Sequence, residues 1–149
     1  MKKLIAIAVA GAGIFAGSLA IAAEDPISVR KSLMKDVGAA MGTLAKMAKG
    51  EMDFNAGSAG LAIRTMHAAS YGFGHYFPKG SESGMETTAA PAIWEKMGDF
   101  EAALGAFQKS TNDALANAPK SKDDLGPIMG SLGKSCGSCH KVFRVKKDG

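Results

Sequence analysis

Residues 125–143 read LGPIMGSLGKSCGSCHKVF, and the fold is decided by how this stretch is read. Leu125, Ile128, Leu132, Cys136, Cys139 and Phe143 follow one another in steps of three and four. Such steps lay side chains along one face of an α-helix. The helix starts near Asp123, so Pro127 falls in its first turn, where backbone N–H groups have no intrahelical partner and a missing donor costs little. The face that must be buried also carries Cys136-Gly137-Ser138-Cys139-His140. One segment therefore closes a helical core and presents two thiols and an imidazole to it.

Three further helical segments lie upstream. Asp25-Pro26 supplies an N-cap and a proline at the first helical position, and Lys49-Gly50 supplies a C-terminal stop. Between them Ile27, Leu33, Met34, Val37, Met41, Leu44 and Ala48 keep helical spacing. A second helix runs from about Asn55 to Gly72, with Leu61, Met66, Ala69 and Phe73 as its expected buried stripe, and Gly72, Gly74 and Pro78 end it. Residues 79–90 show no periodicity and read as one long loop. Pro91 opens a third segment with a break expected near Gly98-Asp99; its apolar series is Ile93, Trp94, Met97, Phe100, Leu104, Phe107 and Leu115. A polar turn at 117–122 leads into the last helix. Four amphipathic helices with mostly short connections imply an all-α, antiparallel four-helix bundle.

The first residues stand apart from that bundle. Lys2 and Lys3 precede an uncharged, Ala- and Gly-rich run to Ala23, and Ala20-Ile21-Ala22 offers small residues for cleavage. The pattern is that of a secretory signal peptide over 1–23, with 24–149 as the mature domain and the periplasm as its place. The rival reading is an uncleaved anchor, since an uncharged run of about 20 residues can span a bilayer. Without Lys2 and Lys3 the 18 basic residues become 16 against 14 acidic ones, a net charge of +2. That is too little to suggest nucleic acid. Lys134, Lys141, Arg144, Lys146 and Lys147 cluster at the end, either as a solvated helix terminus or as a patch for an acidic redox partner or haem propionates.

C-x-x-C-H is the attachment pattern of haem c. Residues three apart share one side of a helical turn, so two thiols can each add across a haem vinyl group and form thioethers. The adjacent histidine then brings a nitrogen to the iron. A redox dithiol also uses C-x-x-C but expects a βαβ setting. Zinc requires about four ligands, and as nitrogen ligands the sequence offers only His67 and His75 besides the motif. Neither has metal-site spacing to it, and both read as surface or hydrogen-bonded side chains.

The chain resembles the cytochrome c′ family, the class II c-type cytochromes. The resemblance rests on Arg30-x-x-Leu33-Met34-Lys35 with Gly38 and Met41, on Phe77-Pro78, on Pro91-Ala92-Ile93-Trp94, and on Cys136-Gly137-Ser138-Cys139-His140 with Phe143-Arg144. Lys141 departs from the acidic residue common after the haem histidine. The resemblance implies a bundle around one covalent haem with His140 on its iron, often paired as a homodimer through the first two helices. It also implies Arg30 near a propionate, Arg144 beside the proximal histidine, and Trp94 and Phe143 packed at the haem. Met34 matches the position at which the low-spin, cytochrome c-556-like branch supplies a methionine ligand and carries electrons to and from a redox protein. The five-coordinate branch leaves that face apolar and binds small gases such as nitric oxide and carbon monoxide. Met41 shares the face of Met34 and reads as packing. Neither branch is an enzyme, and the first helix has no His-Arg pair of the kind a peroxidase uses.

Overall fold

The computed structural model describes residues 24–145; the expected signal peptide, Lys146 and Lys147 lie outside them. Helix α1 spans Pro26–Lys49, α2 Ala56–Gly72, the short α3 Ala92–Glu95, α4 Met97–Ala116 and α5 Leu125–Phe143. α1, α2, α4 and α5 form the antiparallel four-helix bundle. No described helix is long and apolar enough to cross a membrane.

Local chemistry sets most boundaries. The Asp25 carboxylate accepts from the Ser28 N–H at 2.9 Å, and Asn55 caps α2 through Ser58 at 2.8 Å. Gly50 ends α1 at φ 78°, a left-handed conformation that glycine adopts without a Cβ clash. The break before α4 falls at Lys96 (φ −132°, ψ 51°), not at Gly98-Asp99, which are helical. Apolar packing of Ile93 and Phe100 on either side of this break overrides the local weakness of glycine. The last helix enters through a 3₁₀ turn, Lys122–Asp124. There the Asp124 carboxylate accepts from the Lys120 and Ser121 N–H groups and the Ser121 hydroxyl.

Those hydrogen bonds hold the Asp124 carboxyl below its ordinary range, backbone donors first. A depressed carboxylate pKa contributes stability that is full above the unfolded value and fades as pH falls through the folded one. Asp124→Ala should therefore lower the melting temperature at neutral pH, and the difference from wild type should vanish in acid; thermal melts across that range check this.

Ile63, Met66, Ala59, Leu44, Met47, Leu125 and Leu132 are fully buried at the bundle centre. Leu61, expected inside, is 64% exposed. It lies five residues before Met66, and at about 100° per residue that separation turns it well away from the core face. Gly130 of α5 is exposed, with nothing within 4 Å of where a Cβ would stand. Gly130→Ala should stabilise the protein by about 0.5–1 kcal/mol through reduced unfolded-state entropy, measurable by urea unfolding of the holoprotein.

A second apolar cluster of Phe77, Ile93, Phe100, Leu104 and Phe143 closes one end of the bundle. The 79–90 loop is tied to this end. The Ala90 N–H donates to the Phe143 carbonyl at 3.0 Å and the Val145 N–H to the Thr88 carbonyl at 2.9 Å. The loop is thus fixed against the end of α5, next to the C-x-x-C-H motif.

Candidate haem site

Cys136, Cys139 and His140 occupy the last two turns of α5, and all three line one cavity of about 1000 Å³. α1 contributes Met34, Val37 and Met41 to its walls, and α4 contributes Phe100, Leu104 and Phe107. Phe73, Phe77 and Phe143 complete an aromatic end. Their rings meet edge to face, Phe77 on Phe100 at 4.7 Å and Phe100 on Phe143 at 5.4 Å, a geometry that suits aromatic quadrupoles. Glu86, Thr87, Thr88 and Ala89 of the loop form part of the rim.

The electrostatics distinguish the possible chemistries. Burial pushes both thiols above their ordinary pKa, with the neighbouring Cys136 adding to the effect on Cys139. A reactive dithiol needs the opposite, a stabilised thiolate. His140 is shifted down, by desolvation first and by the Arg144 charge second. That favours the neutral imidazole, the form with a lone pair to donate to a metal. Among the described residues no three of His, Cys, Asp and Glu are grouped to hold a metal ion.

Arg30 is 4% exposed, one turn before Met34. Its Nη1 donates to the Tyr76 carbonyl at 2.8 Å and the Ser81 hydroxyl at 2.9 Å, and its Nη2 to the Ser81 carbonyl at 2.8 Å. The guanidinium also lies 4.7 Å from the Phe77 ring centre and 5.5 Å from that of Trp94. Nε is buried without a partner. Arg30 thus lines the cavity while two of its three hydrogen bonds hold the loop at Ser81, and desolvation lowers its pKa.

The structure brings Cys136, Cys139, His140, Met34, Met41, Arg30, Arg144 and Phe143 together on the cavity. It places Trp94 behind the wall, packed on Phe77 with its indole N–H 3.3 Å from the Pro78 carbonyl. Arg144 lies one residue past the end of α5 in extended conformation (φ −127°, ψ 125°). It reaches the site through its bridge to Ala89, not through helical i,i+4 spacing. His67 stands outside the cavity, 3.4 Å from the Thr111 hydroxyl, and His75 is exposed. Lys134 and Lys141 are exposed but do not line the cavity. Sequence reasoning missed the rim residues 86–89, which carry no local signal, and Lys31 and Lys35. It read Phe100 and Phe107 as core; their seven-residue spacing on the face of α4 was the available clue.

The cytochrome c′ family model matches residues 25–144. The chain belongs to the cytochrome c′ family. Cytochrome c-556 of Agrobacterium fabrum is 38% identical over 128 residues, covering 86% of each chain. Cytochrome c′ of Rhodopseudomonas palustris is 32% identical over 150 residues, covering 99% of each. The solved cytochrome c′ from Rhodopseudomonas palustris superposes with a TM-score of 0.79 at 29% identity, over 85% of this chain and 100% of that one. Membership makes this a c-type cytochrome of electron transfer or gas binding, with covalent haem c as its cofactor. The cavity fits that group. Its volume suits a bound cofactor, its walls are mainly apolar, both thiols stand on one wall, and the orphaned Arg30 Nε offers a donor to an anionic substituent.

Proposed function

We propose that the protein is a periplasmic electron carrier holding one haem through Cys136 and Cys139, with His140 and Met34 as its two axial ligands. Haem supplies one-electron chemistry at its iron. The observation that carries the reading is the sharing of one cavity by Met34 of α1 and His140 of α5. The resemblance to cytochrome c-556 supports it. The chain's own residues do the rest. Burial and Arg144 keep His140 neutral and able to donate. Phe77, Phe100, Phe107 and Phe143 exclude water, and two ligands from opposite ends of the sequence leave little reorganisation when the charge changes. A thioether ligand favours the reduced state. Arg30 stands on the cavity as the cation for a haem propionate, and Arg144 stands by His140, whose charge it disfavours.

A second reading has a specific support. The match to cytochrome c′ of Rhodopseudomonas palustris runs over 99% of both chains, and Val37 and Met41 give the Met34 face an apolar surround. In that case Met34 packs without ligating, and nitric oxide or carbon monoxide binds. The visible spectrum of the purified holoprotein separates the two. A sharp low-spin reduced α band that carbon monoxide leaves unchanged supports the carrier; a broad spectrum that shifts with carbon monoxide supports the gas binder. A homodimer through α1 and α2 fits the outward Leu61 on α2; sedimentation of the Leu61→Lys variant, expected to be monomeric, checks it.

A further inference from the structure

The cavity opens along a rim that is both cationic and bare. Lys31 and Lys35 of α1 line it and are exposed, four residues apart and so on one side of the helix. Arg144 lines it from the end of α5, also exposed. Gly38 of α1 and Gly133 of α5 line the same cavity, both exposed, and a Cβ at either would meet nothing within 4 Å. Glycine lets another surface come close to the backbone. The rim thus carries three positive side chains against Glu86, in a mature chain whose net charge is only +2.

We propose that this lip, Lys31 and Lys35 with Arg144 around Gly38 and Gly133, is the docking surface for an acidic redox protein. The inference rests on the electron-carrier reading and names the side from which electrons pass. Charge complementarity at a rim mainly raises the association rate and falls away with salt. The bare glycines shorten the distance an electron must cross. Lys134 and Lys141 lie outside the cavity lining on α5 and are not part of the surface.

The test uses the reduced holoprotein and stopped-flow oxidation by two small probes, anionic hexacyanoferrate(III) and cationic tris(phenanthroline)cobalt(III), at low and high salt. Each probe takes one electron from the iron(II) protein and leaves the iron(III) protein. At low salt Lys31→Glu/Lys35→Glu should slow the anionic probe by about tenfold and speed the cationic one, with both effects lost at high salt. Lys134→Glu/Lys141→Glu makes the same change in net charge and should alter either rate by less than about twofold. Polyglutamate should slow the anionic probe's reaction with wild type and leave that of the Lys31/Lys35 variant unchanged. Equal effects of the two double variants, or none from either, would overturn the proposal. The carbon monoxide response of the same samples reports separately on the carrier reading, so a failed docking surface and a failed ligand assignment give different results.

Discussion

Met34→Ala should turn a low-spin, carbon monoxide-inert holoprotein into a high-spin one that binds carbon monoxide, with a lower reduction potential. Met34 is half-buried on α1 and reaches the cavity that His140 also lines. Alanine removes the thioether and leaves an apolar pocket open to a small gas. The potential falls because the sulfur had favoured the reduced state. Packing loss should cost about 1–3 kcal/mol, since the side chain is only partly buried, so the variant should still fold and its spectrum can be read. Met41→Ala, seven residues further along the same face of α1, should keep the low-spin spectrum. A Met34→Ala spectrum identical to wild type would remove methionine ligation and leave the gas-binding reading in its place.

Cys136→Ser/Cys139→Ser should produce a larger effect still. Without the two sulfurs the protein should emerge without covalent haem even in cells that mature c-type cytochromes. The walls around the cavity would then lose their partner. Phe73, Phe77, Phe100, Phe107, Phe143, Met34 and Met41 all face it, and voids of far smaller volume already cost several kcal/mol. Domain stabilities are only about 5–15 kcal/mol. The variant should therefore retain helical far-UV circular dichroism, lose near-UV signal and bind a hydrophobic dye, as a loosely packed state does. A sharply melting variant with wild-type near-UV signal would show that the bundle core, and not the cofactor, carries the stability.

Sequence periodicity reached the fold through elements whose signals are local. Asp25-Pro26, Gly50 and Asn55 act on backbone groups a few residues away, and they bound α1 and α2 as read. Leu61 failed because one apolar residue carries no direction by itself; only its register with Ala62, Ile63 and Met66 does. The break at Lys96 and the position of Arg144 depend on aromatic packing and on a two-residue bridge with the 79–90 loop. These are contacts between segments about 50 residues apart in sequence, which no local pattern reports. The site divides the same way. Cys136, Cys139 and His140 were legible because attachment chemistry demands a fixed spacing. The hold of Arg30 on Ser81, the loop rim and the Lys31–Lys35 lip emerge only when the chain is folded.

Intact-mass and peptide spectrometry of the protein purified from a c-type-maturing host reads out whether α5 carries haem through Cys136 and Cys139. The peptide spanning 136–140 should bear one haem, absorb in the visible range and leave neither sulfur open to alkylation. A colourless protein in which both Cys136 and Cys139 take up the alkylating reagent would contradict the account.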